Sequence, residues 1–259
     1  MKNAKTIHII GLVGFPSVKN GDDLAKLISR TAQKQGVSVE DGDILVIAQK
    51  IVSKAEGRVF QLRNVIPSKK AKEIAKITLK HPSFVELVLQ ASQRIVKVSS
   101  DTLIVEDNNG IICINAGIDK SNVKGDDSYA LLPRNIDGSA GQIRQKIMET
   151  TGKNVAVIIS DTYSRPFRKG QVEYAIGIAG INPFRDYRGK EDLYNYVLKV
   201  KNIAIVDEIA AAAELVMGQG SEGIPVVIVR NLDRAELTEK CATKDLFISK
   251  QEDLFKGTL

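Results

Sequence analysis

Residues 102–117 read TLIVEDNNGIICINAG, two apolar runs on either side of Asp107-Asn108-Asn109-Gly110. A turn of this composition tolerates the positive φ that a tight β-hairpin requires. Because a wholly parallel sheet contains no hairpin, this stretch decides the fold class. It predicts an α+β protein whose sheets are mixed or antiparallel and carry packed helices.

The segments around the hairpin alternate between helical and strand patterns. Helical periodicity covers residues 22–34, 68–80, 82–92, 139–152 and 207–218, and buried strands are predicted at 44–49, 154–160, 174–181 and 224–229. In this interpretation the strand at 44–49 ends at Gln49 and Lys50, and Asp161 directly follows the strand at 154–160. Asp207 begins the last of these helices, and Cys241 lies in a C-terminal helix.

Size and composition indicate a soluble globular protein. The 259 residues, 43% apolar and 26% charged, fit one domain over 1–259 built from two intimately packed subdomains. Because no apolar window suits a membrane span or a signal peptide, we expect a cytoplasmic protein. The net charge of +6 suggests an anionic partner, either nucleic acid or a phosphorylated small molecule. Aromatic residues make up only 5% of the chain, so few side chains are available to stack on the bases of a nucleic acid.

Two cysteines and two histidines are too few for a typical zinc site, so a metal here would be a hard cation such as Mg²⁺ or Mn²⁺. Asp119 and Asp161 each come after an apolar strand, where a carboxylate can project into a cleft. Together they would hold one divalent cation beside a nucleotide phosphate. The competing interpretation is that each aspartate only starts a turn.

The sequence allows two interpretations for each of three further features: a glycine-rich loop, a pair of arginines and a pair of lysines. The run GQGSEG (218–223) matches a dinucleotide-binding pattern, but it ends a helix instead of opening one, so a helix C-cap is favoured over a phosphate loop. Arg165 and Arg168 would anchor an acidic substrate or form a solvated cluster in a loop. Lys50 and Lys54 would neutralise phosphates or lie on the surface as ordinary lysines.

These segments together resemble the GTP-dependent coenzyme F420-0:L-glutamate ligase family. The resemblance is carried by GFPSVKNGDDLAKLI, GDILVIAQKIVSKAEGR, INAGIDKSNV, TGKNVAVIISDTYSRPFRKG, AIGIAG and DEIAAAAELVMGQGSEGIPVVIVR, in family order up to about Arg230. NAGID-S-N and DT-x-x-R-x-F-R-x-G are its most specific motifs.

The resemblance implies a set of site residues. Asp119 and Asp161 would hold a first Mg²⁺ or Mn²⁺, Thr162 and Gln219 a second, with K⁺ as a further cation, and Asn122 would contact GTP. Gln219 stands where some relatives carry glutamate, and an amide is the weaker magnesium ligand. The nucleotide pocket would be completed by Gly14, Phe15, Pro16, Ser17, Gln49, Lys50 and Lys54, and by Met217, Gly218, Gln219, Gly220, Ser221, Glu222, Gly223 and Ile224.

The resemblance also implies an activity. GTP would phosphorylate the terminal carboxylate of F420-0, and the amine of L-glutamate would attack the acyl phosphate; a second, γ-linked glutamate would then extend F420-1. Arg165 and Arg168 would hold acidic groups of the substrates. The protein would be the stand-alone form, a homodimer with an intertwined α+β fold and with no nucleic-acid or membrane partner. A related ligase with another acidic acceptor and a basic nucleic-acid-binding protein are the alternatives.

Overall fold

The computed structural model describes residues 5–233, 235–249 and 251–253. Its helices are α1 Leu24–Lys34, α2 Gln49–Ala55, α3 Lys69–Thr78, α4 Pro82–Gln90, α5 Ile136–Thr151 and α6 Ile205–Met217. Its strands are β1 His8–Gly11, β2 Ile44–Ala48, β3 Val59–Gln61, β4 Ser92–Ser99, β5 Thr102–Asp107, β6 Ile112–Ile114, β7 Ser128–Ala130, β8 Ala156–Arg165, β9 Arg168–Ala179, β10 Phe184–Asp186, β11 Asn202–Ala204 and β12 Val226–Arg230.

The chain passes repeatedly between two units. Within the described ranges, unit 1 comprises residues 5–17, 23–48 and 137–246, and unit 2 comprises residues 18–22, 49–136 and 247–253. Each unit is therefore assembled from separate stretches of sequence. The boundary between β2 and α2 falls between Ala48 and Gln49, and the return to unit 1 falls at the first residue of α5.

Unit 1 contains a five-stranded mixed sheet in the order β1-β12-β2-β8-β9. β2 and β8 are parallel, and every other neighbouring pair is antiparallel. Ile44, Leu45, Val46 and Ile47 are all fully buried, so β2 is covered on both faces. This explains why its sequence is continuously apolar and does not alternate.

Helix α6 covers part of this sheet with an alanine-rich face. Ile205, Ile209 and Ala213 pack with sheet residues such as Val46 and Ile158. The small alanine side chains allow the helix to approach the strands closely. Because each buried Ile or Val contributes roughly 1.5 to 3 kcal/mol, the apolar strands account for much of the stability of unit 1.

Unit 2 contains two small antiparallel sheets, β4-β5-β6 and β3-β7, with α3 and α4 beside them. Its core includes Leu87 and Val88 of α4 and Leu103 and Val105 of β5. The predicted hairpin is present: β5 pairs with β6, and Gly110 in the turn has a φ of 87°. Together with the mixed sheet of unit 1, this confirms the predicted α+β class.

Several residues placed by the sequence analysis lie differently in the structure. Gln49 and Lys50 begin α2 and do not end the preceding strand. Asp161 lies inside β8, which continues to Arg165. Asp207 lies in the first turn of α6, where it accepts a hydrogen bond from the Ala175 amide. Cys241 precedes a short 3-10 helix and lies outside any helix.

Within the described part of the chain, every helix is too short or too polar to span a membrane.

Candidate functional site

Asp119 of unit 2 is held by its own backbone. Its amide donates to the Ala130 carbonyl at 3.0 Å and its carbonyl accepts from the Ala130 amide at 2.8 Å. A short 3-10 helix, Asn115–Gly117, separates Asp119 from β6, and Asn115 and Ala116 both have positive φ. The carboxylate is therefore positioned by an irregular but well-bonded segment.

The Asp119 carboxylate is engaged on both oxygens. Oδ1 accepts from the Ser121 amide at 2.7 Å, and Oδ2 accepts from Ser121 Oγ at 2.8 Å. Lys50 Nζ lies 2.8 Å from Oδ2. Burial by itself raises the pKa of Asp119, but hydrogen bonds from Lys50 and Ser121 outweigh it and hold the pKa below its usual value. The carboxylate is therefore ionised at neutral pH.

Two lysines on α2 form a cationic pair in unit 2. Lys50 and Lys54 are one helical turn apart, so their side chains lie on the same face. Lys54 Nζ donates to the Asn122 carbonyl at 2.7 Å. Burial, followed by the nearby charge of Lys50, lowers the pKa of Lys54. The Lys54 ammonium, which burial and the charge of Lys50 destabilise, would be stabilised by a bound anion.

Gln49 adds an unsatisfied donor beside these lysines. The residue is 1% exposed, and its Oε1 accepts from Ser53 Oγ at 2.8 Å. Its Nε2 is buried without an acceptor among the residues that the structure describes. Since buried amide groups are nearly always hydrogen-bonded, this donor suits a ligand atom.

In unit 1, Asp161 and Thr162 lie midway along the ribbon formed by β8 and β9. Asp161 is paired with Tyr174, and Thr162 with Glu173. Neighbouring residues of a strand point to opposite faces. The contacts agree, since Tyr163 meets Tyr174 and Thr162 meets Glu173. The side chains of Asp161 and Thr162 therefore lie on opposite faces of the ribbon.

Thr162 and Gln219, predicted to share a cation, are brought together through a third residue. Glu173 Oε2 accepts from Thr162 Oγ1 at 2.8 Å and from Gln219 Nε2 at 3.2 Å. Burial is the main cause of a raised pKa at Glu173, and the negative charge of Glu214 adds to it. Sequence reasoning missed Glu173; its only signal was an acidic residue in the otherwise apolar alternation of VEYAIGIA.

Arg165 and Arg168 do not lie in an open loop, as one interpretation had it. They end β8 and begin β9, and they are paired across a two-residue turn in which Phe167 has a φ of 60°. Arg168 is exposed and Arg165 is half-buried. Nε of Arg165 is buried with no acceptor within the described residues. This leaves hydrogen-bonding capacity for an anionic group.

The glycine loop at 218–223 caps a helix, as the sequence favoured. Gly218 has a φ of 67° and its amide donates to the Glu214 carbonyl at the end of α6. The Glu222 carboxylate accepts from the Gly220 amide at 2.8 Å. The Gly220 amide thus binds a carboxylate of its own loop. The other residues predicted to form the nucleotide pocket lie along the same stretch of chain. Met217 is the last residue of α6, and the segment between α6 and β12 contains Gln219, Ser221, Gly223 and Ile224.

The segment from Gly14 to Ser17 lies in unit 1, in the loop after β1. Gly14 has a φ of 69°, a conformation that side chains disfavour, and an added Cβ would meet no neighbouring atom. Phe15 is half-buried, and Pro16 and Ser17 are exposed. Backbone strain, not crowding, therefore explains glycine at this position.

The available donors are oxygen atoms from carboxylates, hydroxyls and amides. Among the described residues, no three acidic, histidine or cysteine side chains cluster as a ready-made metal site. Mg²⁺ commonly takes only one or two carboxylates and completes its coordination with phosphate and water. The residues present therefore fit a magnesium or manganese ion that is bound together with a nucleotide. Asp119 belongs to unit 2 and Asp161 to unit 1.

Comparison with known proteins gives a consistent result. A sequence model of the family described as "F420-0:Gamma-glutamyl ligase" matches residues 13–231. A protein of Methanothermobacter thermautotrophicus named coenzyme F420:L-glutamate ligase is 46% identical over 252 residues, which cover 97% of this chain and 99% of that protein. Proteins of the same name from Archaeoglobus fulgidus and Methanocaldococcus jannaschii are each 43% identical, covering 98% and 99% of this chain and 98% and 100% of theirs.

Proposed function

The chain belongs to the F420-0:gamma-glutamyl ligase family, and from this premise we propose that it joins L-glutamate to coenzyme F420-0 at the expense of GTP. A second, γ-linked glutamate would then be added to F420-1. The observation that carries the proposal is the family match over residues 13–231, which includes every candidate site residue from Gly14 to Ile224.

Forming an amide from a carboxylate and an amine in water requires activation. In the proposed reaction a carboxylate oxygen of F420-0 attacks the γ-phosphorus of GTP, releasing GDP and giving an acyl phosphate. The glutamate amine attacks its carbonyl carbon, the C–O bond to phosphate breaks, and the amine loses a proton. Phosphoryl transfer depends mainly on positioning and charge neutralisation, so a nucleophilic side chain is not needed.

The lysines of α2 are the proposed phosphate-binding groups. The lowered pKa of Lys54, caused first by burial and then by Lys50, supports this role because a phosphate would relieve both costs. The buried Nε2 of Gln49 offers a further donor to the nucleotide. Asn122, whose carbonyl is fixed by Lys54, would contact GTP from the loop after Asp119.

Asp119 and Asp161 are the proposed ligands of a first Mg²⁺ or Mn²⁺, and Thr162 and Gln219 of a second, with K⁺ as an additional cation. Such ions, when bound, neutralise the charge that develops on transferring phosphates. Arg165 and Arg168 would hold an acidic group of glutamate or of F420-0. We also propose that the protein works in the cytoplasm as a homodimer.

Mass spectrometry of F420-0 incubated with the protein, GTP, Mn²⁺ and L-glutamate tests the proposal. Each addition raises the product mass by one glutamyl residue, so one, two or more additions are distinguished, and one GDP should appear for each amide formed. GTP consumption only with a different acidic acceptor would instead identify a related ligase. Salt-sensitive RNA binding without GTP turnover would favour the nucleic-acid-binding alternative.

The metal assignment has its own test in Asp161→Asn. The substitution keeps the size of the side chain but removes its charge, so we expect loss of GTP-dependent ligation with an unchanged circular dichroism spectrum. Near-normal turnover by the variant would reject the role of Asp161.

A further inference from the structure

Glu173 lies between two of the proposed metal ligands. It is 3% exposed, and its Oε2 is 2.8 Å from Thr162 Oγ1 and 3.2 Å from Gln219 Nε2. All three residues belong to unit 1, on β8, on β9 and in the loop after α6. The carboxylate is therefore the common point of this cluster, and Thr162 and Gln219 meet through it.

The charge of Glu173 is poorly compensated. No lysine or arginine in the described part of the chain forms an ion pair with it. The side chains that hydrogen-bond to it, Ser160, Thr162 and Gln219, are all neutral. Glu214, on the last turn of α6, places a second negative charge near enough to act on it. Burying a carboxylate beside another acid is costly unless a cation balances the charge.

The chemistry of the cluster suits a hard divalent cation. Carboxylate, hydroxyl and amide oxygens are the ligands that Mg²⁺ and Mn²⁺ prefer. The Gln219 amide presents its nitrogen to Glu173 in this structure, and rotation of the amide presents its oxygen instead. Because the Gln219 amide is neutral, a cation bound to it still needs a negatively charged ligand, and Glu173 supplies a carboxylate.

We propose that Glu173 is the carboxylate ligand of the second divalent cation, that Thr162 and Gln219 are its neutral ligands, and that Glu214 supports it with a further negative charge. The inference rests on the proposed function only in taking Thr162 and Gln219 as metal-binding. Because Asp161 points to the other face of the β8–β9 ribbon, the Glu173 ion is distinct from the one assigned to Asp161.

The test is a Mn²⁺ titration of the full-length protein without nucleotide, followed by electron paramagnetic resonance of the free ion. Glu173→Gln is nearly isosteric and keeps an acceptor for Thr162. We expect one class of bound Mn²⁺ to weaken by about tenfold or more. The matched control is Glu73→Gln, at an exposed position on α3, which should bind Mn²⁺ as the wild type does. Unchanged binding by Glu173→Gln overturns the inference.

Thermal unfolding adds a readout that a purely structural role would not move. For the wild type, Mn²⁺ should raise the Tm, because a ligand that binds only the folded state stabilises it. For Glu173→Gln this rise should shrink, while the metal-free variant stays at least as stable as the metal-free wild type. A metal-free variant that is destabilised and shows the full Mn²⁺-dependent rise would indicate a structural role only.

A second variant keeps the inference testable if Glu173→Gln fails to fold. Gln219→Glu puts a carboxylate where an amide now lies 3.2 Å from Glu173. If a cation binds between them, Mn²⁺ affinity should rise by about tenfold. If none binds, the two acids repel each other, and the variant should lose stability with no gain in Mn²⁺ affinity, which would contradict the inference.

The two proposals fail in different ways. If Glu173→Gln loses a Mn²⁺ ion but the wild type makes no glutamylated product from F420-0, the metal site stands and the ligase proposal fails. If the product forms and Glu173→Gln binds Mn²⁺ normally, the ligase proposal stands and the role of Glu173 is wrong.

Discussion

Asp119 shows how a single carboxylate can be kept ionised while partly buried. Its neighbours Lys50 and Ser121 offset the cost of burial, so its pKa lies below the usual value of a free aspartate. A lowered pKa in the folded state means that ionisation stabilises the fold. This contribution is complete above the unfolded pKa, near pH 4, and is lost as the pH falls through the folded pKa.

Lys50→Met should remove the largest of these compensating interactions. We expect the pKa of Asp119 to rise in the metal-free variant, measured by NMR titration of its carboxyl carbon. The variant should be less stable than wild type at pH 7, and the difference should shrink as the pH falls below about 4.

Lys54→Met is the control for Lys50→Met, because Lys54 donates to the Asn122 carbonyl and not to the carboxylate. Its effect on the pKa of Asp119 should be small. Equal pKa changes in both variants would show that general positive charge, and not the 2.8 Å contact from Lys50, sets the pKa of Asp119.

Arg168 allows a test of substrate anchoring at the end of the β8–β9 ribbon. A guanidinium binds a carboxylate or phosphate through two parallel hydrogen bonds, and lysine cannot reproduce this. Arg168→Lys should therefore raise the KM for L-glutamate or F420-0 by about tenfold. Lys169→Ala, at the next exposed position, is the control. If both KM values stay unchanged in Arg168→Lys, the anchoring role is wrong.

At the scale of elements, the β5–β6 hairpin depends on one buried side chain. Asp107 is 2% exposed, and its carboxylate accepts from the amides of Asn109 and Ile111 at 2.9 and 2.8 Å. Asp107→Ala leaves these donors without an acceptor. We expect a loss of about 2 to 3 kcal/mol in the free energy of unfolding, measured with urea.

Asp101→Asn is the matched control for the hairpin. Asp101 is exposed in the turn between β4 and β5 and has a φ of 66°, a conformation that asparagine also adopts readily. Its substitution should change stability by less than about 0.5 kcal/mol. A comparable loss in both variants would mean that the turns, and not the Asp107 hydrogen bonds, limit stability.

The elements that sequence reasoning found are those with a strong apolar pattern. The hairpin follows from the composition of its turn, the strand at 44–48 from a continuous apolar run, and the buried face of α5, with Ile143 and Ile147, from helical periodicity. The start of α2 was missed because Gln49 follows the apolar strand with no capping residue to mark a boundary. The outer part of β8 was missed because its residues are polar, and its strand character comes from pairing with β9.

The candidate site was only partly predictable for the same reason. Asp119 and the glycine loop stood out because their local composition is unusual. Glu173 did not, since its importance comes from contacts with Thr162 and Gln219, which are 11 and 46 residues away in the chain. Periodicity describes neighbours along one element, and it does not report which elements meet.

At the scale of the whole molecule, apolar side chains exposed in the segment between β10 and β11 bear on assembly. Leu193, Tyr194 and Val200 are 95%, 89% and 88% exposed. Large exposed apolar groups on one segment often mark an interaction surface. If the protein is a homodimer, as proposed, sedimentation equilibrium should give twice the chain mass of 28.3 kDa.

A double substitution tests whether this segment contributes to the dimer. Leu193→Lys with Val200→Lys places charges on the exposed positions and should shift the mass towards that of one chain. Ile66→Lys, at an 89% exposed position in unit 2, is the control. A double variant that sediments as the wild type does would show that the surface lies elsewhere.

The strand order of unit 1 has a consequence for biosynthesis. β12 lies between β1 and β2, although more than 170 residues separate it from β2 in the chain. During translation β1 emerges first, yet among the described strands its one neighbour in the sheet is β12. β1 therefore remains unpaired until β12 has been synthesised, and a nascent chain stalled before Val226 would expose an unpaired edge on β1 and another on β2 to chaperones.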